Sequence, residues 1–237
     1  RAAAVTAGRG LNERPVETFA DQLAGMTYVL ALAKHAEAKV VYLSSMEIYG
    51  QPFVKGRARE ADVGYVDPLV IRNGYPESKR ANEFLASAYA AEYGVWTVNA
   101  RLAQTFGPGV APDDHRVFAQ FARSVIKGED IVLQTDGSSS GNYCYLPDTL
   151  AALLYLARDG AQGQSYNVVN ESTSVTIKQL AELVATLNPA SHVVVDIPAD
   201  DPGYAPKVSL KLSAQNLEVL GWRLTVGLKE IDRKSAV

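Results

Sequence analysis

Cysteine is almost absent: the 237 residues hold one, Cys144. A single thiol forms no internal disulfide and fits a reducing compartment, so a cytoplasmic location is expected. Histidine is nearly as scarce. His35, His115 and His192 stand too far apart for the paired spacing of a metal site, so no metal is expected. Charge of one sign is also lacking: the net formal charge is −3 and no stretch concentrates Lys and Arg. This removes a nucleic-acid footprint, though not acidic small molecules, because a few local donors suffice to hold a phosphate. No apolar run approaches the roughly 18 residues of a spanning helix, so no membrane partner is expected. The opening RAAAVTAGRG is too short in apolar residues for a signal peptide and has no initiator Met.

What remains is ordinary globular composition, 47% hydrophobic and 21% charged, in a chain long enough to bury a core. Residues 15–37 read as a helix opening on Pro15 with acidic residues in its first turn. KVVYLSS follows as a continuous apolar strand of the kind parallel sheets bury. Residues 51–73 read as a loop, YPESKRANEFLASAYAAEYG as a helix ended by Gly94, and VWTVNARL as the next strand. TFGPGVAPDD reads as a loop, and helix and strand then alternate to the end. In the helix TIKQLAELVATL, Leu180, Leu183, Val184 and Leu187 form a stripe facing a core. Such alternation predicts an α/β fold with a parallel sheet. After about residue 105 the elements shorten, which predicts a smaller lobe beside the sheet and a crevice at the strand ends, where such sheets bind ligands.

The stretch SSMEIYG, residues 44–50, ends a strand on two hydroxyls and a carboxylate. Thirty residues on, Tyr75 and Lys79 are four apart near a helix start and share a face. An ammonium near a phenol favours the phenolate, which makes tyrosine usable as a base. Chance alone supplies such a pair about as often as not. Its conjunction with Ser45, with RLAQTFGPG after the next strand and with NYCYLPD before a later helix is far more specific. Arg72, three residues before Tyr75, is expected on the crevice side.

That order resembles the extended short-chain dehydrogenase/reductase family, in its NAD-dependent nucleotide-sugar epimerase/dehydratase branch. SSMEIYG matches the family's Ser-Ser-x-x-x-Tyr-Gly, YPESK its Tyr-x-x-Ser-Lys, and RLAQTFGPG its Arg-x-x-Asn-x-x-Gly-Pro, with Gln104 in the Asn place. The resemblance implies a Rossmann-like doubly wound parallel sheet with a smaller C-terminal α/β substrate lobe. Residues 1–105 are assigned to the rest of the dinucleotide-binding domain, and 106–237 mainly to the substrate lobe, with segments returning to the sheet. The family's Gly-x-x-Gly-x-x-Gly turn has no clear counterpart in AGRG. AAAV is read as a later strand end, so about two βαβ units are expected ahead of Arg1.

The resemblance implies NAD as cofactor, held by Ala3, Ala4, Ser44, Tyr75, Lys79 and Ala103. It implies catalysis by Ser45, Glu47, Tyr75 and Lys79, and a nucleoside diphosphate sugar contacted by Ser45, Gln104, Arg116 and Val117. Tyr75 takes the C4 hydroxyl proton as hydride leaves, Ser45 hydrogen-bonds that hydroxyl, and Lys79 binds the nicotinamide ribose and keeps Tyr75 acidic. Glu47 resembles the Ser/Thr-x-Glu of members that eliminate water or decarboxylate a uronic acid, so those outcomes are favoured over 4-epimerisation. Gly141 stands where the family carries a phosphate-binding arginine. Ser138, Ser139, Ser140 and Asn142 are the nearby donors, none of them charged. That departure leaves a reductase of a non-sugar carbonyl, on NAD or NADP, as a further alternative. A homodimer through helices 15–37 and 74–93 is expected from the resemblance, and Cys144 is expected in the core.

Overall fold

The structure, a computed structural model, describes residues 14–109, 111, 113–199 and 207–227. Ala3 and Ala4 therefore lie outside the described residues. Helix α1 (Pro15–Ala36) begins on its proline and stops at Glu37, whose left-handed conformation (φ 51°) ends the ladder. It is followed by β1 (Val40–Ser45), helix α2 (Gly74–Tyr93) and β2 (Thr97–Leu102). Gly94, with φ 70°, closes α2 as its position at the end of the helical pattern predicts.

These strands and β7 (Ser165–Val168) form a parallel sheet in the order β1-β2-β7. Central β2 is buried at five of its six residues because helices cover both faces. On one face Met26, Leu30 and Ala33 of α1 pack with Ala86 of α2 against Val40. On the other, Ala152 and Leu156 of α4 (Leu146–Asp159) pack on Val98, Ala100 and Val168. A sheet clad on both sides is the predicted α/β architecture.

Three short strand pairs stand outside this sheet. Strand β3 (Gln104–Phe106) pairs in parallel with β6 (Tyr143–Tyr145), and β4 (Ile131–Leu133) with β9 (Val193–Val195). Strands β5 (Ser140–Gly141) and β8 (Val175–Thr176) are antiparallel. They surround a second core in which Phe106, Phe121, Ile131, Leu133 and Leu180 meet, with helices α3 (Val117–Lys127) and α5 (Ile177–Ala185) against it. The remaining helix, α6 (Gln215–Val219), is short.

Two sequence expectations are corrected here. Thr105 and Phe106, read as the start of a loop, lie in β3, which exists only through its pairing with a segment about 40 residues later. Leu187 is not part of the α5 stripe. The helix opens on a capping box of Thr176 and Gln179 but ends at Ala185. The amides of Leu187 and Asn188 then bond three residues back, to Val184 and Ala185, and this tighter winding turns Leu187 out to solvent.

Candidate active site

Ser45 ends β1 in register with Leu102 of β2. Its extended backbone (φ −140°, ψ 151°) leads into a single 3-10 turn, Met46–Tyr49, and its hydroxyl accepts a hydrogen bond from the Glu47 amide at 3.2 Å. The strand thus ends on a serine partly because the serine caps the turn that presents Glu47. Gly50 is required by space: at φ 54° an added Cβ would lie 2.1 Å from the Tyr65 carbonyl oxygen. Tyr49 is scaffold. Fully buried, it donates to Asn167 Oδ1 at 2.7 Å and accepts from Arg101 Nη1 at 2.9 Å.

Tyr75 is the second residue of α2, with Lys79 one turn on. The Ser45 side chain acts on the Tyr75 hydroxyl and lowers its pKa, so the strand end and the helix start meet at one point. Burial pushes the Tyr75 phenol up to about 12 and the Glu47 charge pushes the same way, while the Ser45 hydrogen bond and the Arg72 charge oppose them. The Lys79 ammonium donates to the Leu43 carbonyl at 2.8 Å and stands 5.6 Å from the centre of the Tyr75 ring. Burial lowers it to about 8, partly offset by Glu83. Lys79 is therefore beside the phenol without being among the groups that lower it. Desolvation of the phenol wins over a charge held at that distance, contrary to the sequence expectation.

Glu47 forms an ion pair with Arg72, Nη2 to Oε2 at 2.9 Å. Arg72 lies in the 3-10 turn Ile71–Asn73 that runs into α2. Sequence reading puts this arginine on the crevice side but gives it no function. Its position three residues before Tyr75 is the available signal, since one helical turn brings such residues together.

The donor set suits a bound dinucleotide. Lys79 has spent one of its three N–H donors, and the buried Ser44 hydroxyl has no partner among the described residues. Ser44 lies at the C-terminal end of β1 and Lys79 reaches that end from α2, where ribose hydroxyls would satisfy both. Ala103 packs in the core and its amide donates to the Val168 carbonyl.

The residues expected at the sugar nucleotide gather around β3. Gln104 begins two residues past Leu102, the register partner of Ser45, and its amide bonds the Asn142 carbonyl. Arg116 caps α3, pairs with Asp114 and lies 4.7 Å over Phe118. This pairing holds the Asp114 carboxyl below the usual range. Val117 packs against the second core.

The substitute donors near Gly141 are largely committed elsewhere. Asn142 bonds the Asn170 carbonyl and the Leu212 amide, Ser138 bonds Asp136, and the Ser140 hydroxyl faces Ser209 at 3.2 Å. Lys207 pairs with Asp136 at 3.5 Å. A Cβ on Gly141 would meet the Met46 Cε at 3.2 Å, so this position borders the turn that carries Glu47. Cys144 is buried in the core and its thiol is pushed up to about 11, as an inert core cysteine should be.

Among the described residues no group of three or more His, Cys, Asp or Glu side chains could hold a metal ion, and no helix is long and apolar enough to cross a membrane.

The geometry agrees with what the chain is similar to. UDP-glucuronic acid decarboxylase 3 of Arabidopsis thaliana is 32% identical over 219 residues, which are 91% of this chain and 62% of that protein. The chain thus spans about three-fifths of that relative's length. The crystal structure of UDP-glucose 4-epimerase from Thermus thermophilus in complex with NAD superposes with a TM-score of 0.84 at 27% identity, covering 99% of this chain and 74% of that one. UDP-glucose 4-epimerase from Thermotoga maritima shares the fold with a TM-score of 0.87 at 21% identity, over 99% of this chain and 74% of that one. The model of the NAD dependent epimerase/dehydratase family matches residues 1–170, and this chain, with Ser45, Tyr75 and Lys79 gathered at one strand end, belongs to that family.

Proposed function

We propose that this chain belongs to an enzyme that oxidises a nucleoside diphosphate sugar at C4 using NAD and then releases the C6 carboxylate of a uronic acid. One observation carries the reading: the Glu47 carboxylate, paired with Arg72 at 2.9 Å, stands with Ser45 close enough to the Tyr75 hydroxyl that all three act on it. Relatives at about 30% identity that bear the name UDP-glucuronic acid decarboxylase support the same outcome.

NAD, when bound, supplies the hydride acceptor and a fixed positive charge beside the phenol. Tyr75 takes the proton of the C4 hydroxyl, which Ser45 orients by hydrogen bond. Lys79, with two donors unspent, fixes the ribose that sets the distance between the sugar and the acceptor. The ketone formed at C4 makes the C6 carboxylate a β-keto acid. When CO2 leaves, the C5–C6 electron pair passes into the C4–C5 enolate, and Glu47 relays a proton to C5. Tyr75 then returns its proton as C4 is reduced again. The second reading is 4-epimerisation, favoured by the likeness to the Thermus epimerase; it gives Glu47 no task.

The same reading divides the labour along the chain. Residues 1–105 serve the dinucleotide, and 106–237 mainly the sugar nucleotide, with β7 returning to the sheet. Lone, buried Cys144 supports a cytoplasmic setting. A homodimer through α1 and α2 is supported by Tyr28, Leu32 and Phe84, which are 77%, 66% and 71% exposed on two helices that pack together.

The test is incubation with NAD and, separately, UDP-glucuronic acid and UDP-glucose, followed by mass analysis. A pentose nucleotide with released CO2 is expected. A 4-keto-6-deoxy product or an epimer would replace the decarboxylase reading, and Tyr75→Phe should cut turnover by at least about 100-fold.

A further inference from the structure

We infer that Arg72 reads the oxidation state at C6 of the sugar, its guanidinium receiving the carboxylate of a hexuronic acid nucleotide; this rests on the reading just proposed. The Arg72 side chain is only 16% exposed, yet among the described residues it makes one polar contact, the 2.9 Å pair with Glu47. A guanidinium carries five N–H donors in a planar fork. A largely buried fork with most of its donors unspent is matched by a planar anion that accepts two bonds at once.

The place of the fork identifies the anion. Arg72 lies one turn ahead of Tyr75, and its charge acts on the Tyr75 hydroxyl. That hydroxyl marks C4 of the sugar. The C5 substituent is adjacent to C4, whereas C1 and its diphosphate lie across the ring. An anion beside C4 is therefore the C6 carboxylate.

The neighbouring cations already have other partners or, for the unspent donors of Lys79, the ribose. Arg80 spans the carbonyls of Ile48 and Gly64, Lys79 bonds Leu43, and Arg116 pairs with Asp114. Gly141 supplies no side chain on the other side of the Met46–Glu47 turn. A substrate carboxylate arriving beside Glu47 would meet repulsion from it. Arg72, bonded to Glu47 through one edge, offers its remaining N–H donors to the second carboxylate through the other and sets C6 next to the residue proposed to serve C5.

Calorimetric binding of UDP-glucuronic acid, UDP-glucose and UDP to the full chain with NAD tests this. Wild type should bind the uronate about 10-fold or more tighter than UDP-glucose. Arg72→Gln should weaken the uronate by about 10- to 100-fold and leave UDP-glucose and UDP unchanged. Equal affinity of wild type for the two sugars overturns the inference without needing any variant to fold. So does an equal loss for all three ligands in Arg72→Gln, which would mark a phosphate contact. Binding of none of the three by wild type overturns the functional reading itself, and CO2 release by wild type reports on that reading separately.

Discussion

At the scale of single residues, the site is a phenol whose neighbours disagree about it. Burial and Glu47 raise Tyr75, and Ser45 and Arg72 lower it, leaving it near 12. In the proposed reaction Tyr75 needs the positive charge of bound NAD, beyond that of Lys79, to act as a base near neutral pH. Glu47→Gln keeps the size of the side chain and removes its charge, and it should lower product formation by about 100-fold while sugar-nucleotide binding persists. Normal turnover in that variant would remove Glu47 from the chemistry. Lys79 gives a pH signature. Its folded value of about 8 lies below the 10.5 of the free group, so between these values the unfolded chain binds more protons and stability rises with pH. The cost of burying the charge is present in full below pH 8. Wild type should gain about 2 kcal/mol between pH 7 and pH 9.5 relative to Lys79→Met, read by urea unfolding at each pH. Ser45, Tyr75 and Lys79 were legible because each obeys a local rule, a strand end or one helical turn. Arg72 as the partner of Glu47 was not, because the two are 25 positions apart across a loop with no periodic pattern.

At the scale of elements, the contacts between β2 and α2 decide where the helix bearing Tyr75 and Lys79 sits. Arg101 on β2 bonds Glu83 on α2 at 2.7 Å, both nearly excluded from water. The same guanidinium reaches Tyr49, and these partners raise its pKa further despite burial. Glu83→Gln leaves that guanidinium buried without its counter-charge and should destabilise the fold by about 3–5 kcal/mol, measured by thermal or urea unfolding. The central strands and long helices were readable from continuous apolar runs and from glycine stops. The short strands were less so. A three-residue strand such as β3 carries too few side chains to show a period, and its partner lies far along the chain. The end of α5 was missed for a similar reason, since one tightened turn shifts Leu187 off a stripe that the sequence alone continues.

At the scale of the whole molecule, two cores lie side by side, one clad around the parallel sheet and one among the short strand pairs. Exposed Tyr28, Leu32 and Phe84 leave an apolar surface on the flank formed by α1 and α2. Phe84→Asp should convert a dimer to a monomer in sedimentation analysis with little change in melting temperature; a wild type that sediments as a monomer would remove the dimer. Arg80 of α2 holds the Ile48 carbonyl of the Glu47 turn and the Gly64 carbonyl of the loop that follows. The helix that carries the proposed base Tyr75 is thus clamped to the turn that carries Glu47. Little arrangement is left to be done during turnover, so damage to this clamp should slow the catalytic step while ligands still bind, the behaviour of a tool whose jaws were set when it was cast.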